Sequence, residues 1–296
     1  MTGALISFSV SALAIRALGK QLNVFEMLTI RSGTGLIVLV ALIVARPDLR
    51  SEIAPRYMKF HIARNTTHFV GQYSWALAVT ILPFATVFAL EFTTPAWVAL
   101  LAVLVLGERM TRSRLGSVIL GFLGGVVIVR PGLASFQPTA LLVLFAAFAF
   151  AISLIATKQL TNRVSTLNII FWMNAMQLPM ALAYPAYVAA TGGRSLFVFR
   201  LGADLLIPAL ALGIVGLTSH YCLTQAFRSG DATVVVPLDF LRIPLIALVG
   251  WLFYSEALDI FVFAGASLII CGVSWNLFAE SRRSAPAAAT EKAQGV

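Results

Sequence analysis

The chain has 296 residues, 59% of them hydrophobic and only 11% charged, and a mean hydropathy of +0.92. A soluble protein carries about 25% charged residues, and here the apolar runs recur from end to end, which excludes a soluble globular chain and points to a polytopic membrane protein. The formal net charge is +9, yet no basic cluster carries the interleaved aromatics that nucleic-acid binding uses, so the excess is assigned to loops on the cytoplasmic side.

A membrane-crossing helix needs about 20 mainly apolar residues. In chain order the runs predict spans at 3–18, 26–45, 63–81, 83–105, 113–130, 138–158, 166–190, 203–226, 233–254 and 260–279. The first is short and interrupted by Ser7, Ser9 and Ser11, so a nine-span count remains as the alternative. No signal peptide is expected, because no Lys or Arg precedes the first apolar run. The longest polar connector, 46–62, is too short for a separate domain, and residues 281–296 read as a disordered tail. Cys222 and Cys271 both fall in predicted spans, leaving no disulfide framework and no metal-ligand spacing. Gly121 and Gly125 form a GxxxG in the fifth span, the signature of close helix contact. Prolines such as Pro95, Pro179 and Pro237 fall in or near spans, where they bend helices by packing or serve as hinges.

The chain nearly repeats itself. A constant shift of 148 residues pairs Tyr73 with Tyr221, Glu91 with Asp239, Phe92 with Phe240, Glu108 with Glu256 and Gly124 with Gly272. Five spans per half is an odd number, so the second half must enter the bilayer from the opposite side. The basic turn "ERMTRSR" after the fourth span and its counterpart "SEALD", which has no base, agree with that inversion. Placing both termini in the cytoplasm puts 14 Lys and Arg on inner connectors and 5 on outer ones. The expected fold is therefore all-α: ten transmembrane helices as two five-helix inverted repeats, 1–135 and 136–280, around a central cavity. Secondary transporters are built from such halves, with the substrate site near mid-membrane.

Polar groups inside spans are the candidate site. An ionisable side chain at the bilayer centre costs about 2.5–3.5 kcal/mol on insertion scales, so Asp239 and Arg242 must face the bundle interior. At i,i+3 they can pair on one face of the ninth span; either they only fix packing, or Arg242 binds a substrate carboxylate and Asp239 a proton or an amine. Glu91 has no local base, and is read either as a carrier of a coupling proton or as a buried carboxyl paired to Arg31. His68, Gln72 and Tyr73 in the third span and His220, Tyr221 and Gln225 in the eighth meet at matched depth, Gln72 pairing with His220 under the 148 shift, which suits a cavity for an amphipathic solute. Their alternative role is packed, hydrogen-bonded core. Trp172, Asn174 and Gln177 in the seventh span offer donors to a carboxylate, or plain interhelical bonds. No Ser–His–acid set, HExxH or metal constellation stands at readable spacing, so neither an enzyme nor a cofactor is expected.

The segments Tyr73–Thr111 and Tyr221–Asp259 resemble the paired EamA domains of the drug/metabolite transporter superfamily, and Arg31 after "FEMLTI" resembles that family's arginine. The aromatic-rich character looks most like the bacterial amino-acid exporters, including the aromatic amino-acid exporter. The resemblance implies ten helices around a central cavity, with the fifth and tenth peripheral. It also implies export of amino acids or similar small metabolites across a bacterial inner membrane by alternating access, with the lipid bilayer and a small molecule as partners. A drug, nucleoside or nucleotide-sugar transporter is the alternative; only Arg31 and Arg242 stand as bases within the predicted spans, which counts against nucleotides.

Overall fold

The structure, a computed structural model, describes residues 2–106, 110–130, 137–161, 163–191, 202–229, 242–257 and 259–293. Among them the chain is helical throughout: α1 (Thr2–Leu18), α2 (Val24–Ala45), a 3-10 helix (Pro47–Ile53), α3 (Met58–Ile81), α4 (Phe84–Glu91) and α5 (Thr94–Leu106). There follow α6 (Arg112–Val129), α7 (Ala140–Thr161), α8 (Thr166–Ala190), α9 (Ala203–Ser229), α10 (Arg242–Tyr254) and α11 (Ile260–Ala293). Six stretches of the described residues are long and apolar enough to cross a bilayer: Val24–Ala45, Phe84–Val105, Arg112–Val129, Ala140–Thr161, Ala203–Cys222 and Ile260–Ala279. At 24 and 25 residues, α3 and α8 have the length but not the hydropathy. What lowers it is a set of buried polar residues taken up below.

Local chemistry sets the ends. Asn23 opens α2 with a capping box, its side chain accepting from the Glu26 backbone N–H while Glu26 accepts from that of Asn23. Thr111 and Ser165 cap α6 and α8 in the same N-terminal position. Arg16, near the end of α1, donates to the carbonyls of Val79 and Leu82 at the end of α3, where the helix leaves acceptors unsatisfied. The fourth span, expected as one helix, is two. Pro95 has no N–H for the carbonyl of Glu91, and the hydroxyls of Thr93 and Thr94 donate instead to the carbonyls of Leu90 and Glu91. The backbone of α11 stays helical to Ala293, so most of the segment after Ser281 extends it.

The chain divides into two compact units, each drawing on both halves of the sequence: residues 1–82 with 148–226, and residues 83–147 with 227–296. In the first, α2 runs along α8, and Gly35 leaves room for the side chain of Asn174. Gly213 and Gly216 of α9 likewise make room for Thr34 and for the aliphatic stem of Arg31. The second unit is organised by the crossing of α6 and α11, where a Cβ at Gly124 would lie 2.5 Å from the carbonyl oxygen of Gly265, and the reverse. Of the expected GxxxG pair, Gly121 faces Ala96 closely while Gly125 makes ordinary contacts; the closest approach belongs to Gly124. In the same unit, Glu256 accepts a hydrogen bond from the backbone N–H of Phe84, 2.8 Å, capping α4 where Pro83 offers no side-chain acceptor.

Candidate functional site

A helix in lipid turns polar side chains inward, because hydrocarbon leaves them nothing to bond. On α3 that inward stripe is His61, Arg64, Asn65, His68 and Gln72, spaced one turn apart and all at most 8% exposed. At about 1.5 Å of rise per residue, Arg64, His68 and Gln72 lie roughly 9, 15 and 21 Å from the start of the helix. The start of α8 is held at the same end, since Asn168 donates to the carbonyls of Glu52 and Ala54 at 2.7 and 2.9 Å, just ahead of α3. Gln177, eleven residues into α8, therefore reaches the level of His68. The Gln177 amide donates to His68 Nδ1 at 2.9 Å, and since an amide N–H only donates, the imidazole carries its proton on Nε2.

Around that bond side chains of four further helices converge. The His220 ring of α9 stands 5.1 Å from His68, edge to face, with Phe150 of α7 and Phe8 of α1 against the two imidazoles at 5.6 and 6.1 Å. Arg64 donates to Asn65 Oδ1 at 2.7 Å and to Thr157 of α7 at 3.3 Å, and Asn65 donates to the carbonyl of Trp172 at 3.1 Å. Arg31 enters from α2 at 3% exposure. The two guanidiniums and two imidazoles lie within electrostatic reach of one another. Beside this column Tyr73 packs on Phe25 at 4.8 Å, and Phe25 stacks on Tyr184 at 5.3 Å.

The expected residues thus separate. His68, Gln72, Asn174 and Gln177 belong to the buried interior of the first unit, with His220, Tyr73 and Trp172 partly exposed beside it. Asn174 donates within its own helix, to the Ile170 carbonyl at 2.9 Å. Tyr221 is 52% exposed, and its hydroxyl accepts from Gln225 at 3.3 Å on an outer face of α9, away from the position expected for them. Glu91 and Arg242 belong to the second unit. Arg242 donates to Glu91 at 3.2 Å and lies about 5 Å over the rings of Phe88 and Phe92. Glu91 is therefore paired to Arg242, not to Arg31, and does have a base beside it. Asp239 lies outside the described residues.

Arg64 and Asn65 are absent from the expected site. Arg64 is one of the 14 bases assigned to inner connectors, whereas α3 begins at Met58 and buries it at 5% exposure. The available signal was its i,i+4 and i,i+8 register with His68 and Gln72. Its presence also weakens the argument that only two bases stand within spans.

The model of the EamA-like transporter family matches residues 1–130 and 137–278. The chain is 26% identical over 282 residues to the S-adenosylmethionine uptake transporter of Rickettsia prowazekii, covering 94% of this chain and 91% of that protein. It is 30% identical over 225 residues to the riboflavin transporter of Rhizobium johnstonii, covering 75% and 71%. A third relative, the pseudopaline exporter CntI of Pseudomonas aeruginosa, is 30% identical over 202 residues, 65% of this chain and 66% of that one. A solved crystal structure superimposes with a TM-score of 0.65 at 19% identity, over 95% of this chain and 96% of the other, which speaks for the fold alone. The chain belongs to the EamA-like transporter family of the drug/metabolite transporter superfamily.

Proposed function

We propose that the protein exports amino acids, aromatic ones included, or similarly small amphipathic metabolites across a bacterial inner membrane. Transport is by alternating access of ten helices arranged as two inverted repeats, 1–135 and 136–280, with both termini cytoplasmic. The observation that carries this reading is the buried polar column of the first unit, in which the His68–Gln177 bond and His220 stand among Phe8 and Phe150. Hydrogen-bond donors beside aromatic faces suit a solute with one polar and one apolar end. Relatives named for S-adenosylmethionine and riboflavin handle solutes of that mixed character, and the exporter among the relatives supports the outward direction. A proton is the candidate coupling ion, with the Glu91–Arg242 pair as the group through which it acts.

A second reading, a nucleoside-type or larger substrate, is favoured by one observation: Arg64 joins Arg31 inside the first unit, so two bases are present where the sequence offered one. Counterflow into proteoliposomes separates the two. Vesicles loaded with unlabelled solute are offered labelled L-phenylalanine, L-methionine, S-adenosylmethionine or riboflavin, with and without a pH gradient. The proposal expects amino-acid accumulation above protein-free vesicles. Accumulation of S-adenosylmethionine or riboflavin with neither amino acid moving contradicts it. Glu91→Gln is expected to flatten the response to the pH gradient, and an unchanged response removes the proton from the account.

A further inference from the structure

Arg31 is an anomaly of the first unit. Its side chain is 97% buried, its Nη1 has no partner, and among the described residues it makes no hydrogen bond and no ion pair. A buried unpaired charge is among the costliest features a protein can retain, and in an apolar bundle it persists where something else supplies the counter-charge. Nothing in its own unit does. That unit contains four acidic residues. Glu26 is committed to the capping box of α2, Asp48 pairs with Arg46 in the exposed connector, Glu52 is exposed, and Asp204 accepts from Gln21 at the opposite end of the unit from the connector. Arg64 adds a second buried guanidinium whose hydrogen-bond partners, Asn65 and Thr157, are neutral. The imidazoles of His68 and His220 bring no negative charge. Two cations are therefore held within electrostatic reach of each other, with neutral donors around them and, among the described residues, no carboxylate paired to either.

We propose that this cluster is an anion site, in which the Arg31 guanidinium, supported by Arg64, receives the carboxylate or phosphate of the transported solute. The inference deepens the proposed function and rests on it for the word "transported", but not for the binding. An Arg fork with a free donor matches the two oxygens of a carboxylate or phosphate, and the fixed positive charge on Arg64 adds attraction while repelling an amine. Gly216 keeps a side chain out of the space beside the Arg31 stem, where a Cβ would come within 2.7 Å of its Cγ. The site accordingly selects solutes with an anionic end and rejects analogues that carry only an amine.

The test uses the full chain in nanodiscs of zwitterionic lipid, so that no anionic headgroup competes. Melting temperature is measured against 3-(4-hydroxyphenyl)propionate, phenyl phosphate, inorganic phosphate, and the carboxylate-free amine tyramine. The proposal expects the anions to raise the melting temperature and tyramine to leave it unchanged. The arm that acts at lower concentration identifies carboxylate or phosphate as the preferred group. Arg31→Met is expected to abolish the anion-dependent shift and to melt about 2–4 °C above the unliganded wild type, because an uncompensated charge has been removed. Arg31→Lys, which keeps the charge but loses the fork, is expected to weaken anion binding about tenfold, and serves as the readout if Arg31→Met does not fold. Anion shifts retained in Arg31→Met, unaltered affinity in Arg31→Lys, equal stabilisation by tyramine, or no shift with any probe overturn the proposal. Anion shifts without any amino-acid counterflow would leave the site standing and remove the substrate reading. Counterflow undiminished in Arg31→Met would show that the site does not receive the transported solute, and so overturn the proposal while leaving transport standing.

Discussion

His68 and Gln177 show how little a single bond inside a membrane helix bundle contributes and how much it can position. Such interhelical bonds average about 0.6 kcal/mol, so Gln177→Leu should lower the melting temperature only slightly. Because His68 loses the partner that fixes its ring, a larger effect is expected on counterflow than on melting; equal, small effects on both would mark the bond as packing alone. Glu91 and Arg242 belong to the opposite regime. With the two side chains 16% and 5% exposed, each loses a charged partner in a buried setting when the other is removed, at a cost of up to about 3–5 kcal/mol. Glu91→Gln and Arg242→Met should each melt well below wild type, while the double variant recovers most of the loss. A double variant no more stable than the worse single one would show that the two do not act as a pair. The chemical types of these residues were readable in the sequence, but their partners were not. Sequence spacing pairs Arg242 with Asp239 and leaves Arg31 as the candidate base for Glu91, whereas packing brings Arg242 to Glu91.

At the scale of elements, hydrophobic run length placed the helices closely. The spans expected at 26–45 and 166–190 appear as Val24–Ala45 and Thr166–Ala190. The failures have local causes. The break after Glu91 follows from Pro95 together with two threonines able to bond backward, a conjunction that an apolar run hides. The early start of α3 at Met58 was masked by Lys59 and His61, polar residues that look like a loop beside the basic connector. The glycine signal in α6 marked the right helix, and Gly121 meets Ala96 closely, but the α6–α11 crossing rests on Gly124, because spacing within one helix does not say which face meets which neighbour. At the α6–α11 crossing, Gly124→Ala places a methyl 2.5 Å from the Gly265 carbonyl oxygen, and overpacking of this kind costs about 1–3 kcal/mol. A fall in melting temperature is expected for Gly124→Ala and a much smaller one for Gly125→Ala, whose nearest neighbours would be 3.7 Å or more away. Equal losses at the two positions would place the crossing elsewhere.

At the scale of the whole molecule, the EamA-like membership follows from a match across nearly the full chain, whereas the solute must be argued from a few side chains. The family-wide fold is carried by hundreds of weak apolar preferences and is therefore legible in sequence. Substrate choice depends on which four or five polar groups converge, and that is settled only by packing. If the two halves are inverted repeats, cysteines introduced at Thr111 and Ser255 in a background lacking Cys222 and Cys271 should react with impermeant thiol reagents from opposite sides of the membrane. Reaction from one common side contradicts the inversion. The central claim is that the polar column of the first unit is a solute path and not a sealed polar core. Its most direct test is labelling of Gln72→Cys, in that same background, by an impermeant reagent applied to either side of the membrane. A solute path predicts labelling from both sides, slowed by transported solute. Failure to label from either side, under conditions where surface cysteines react fully, would contradict it.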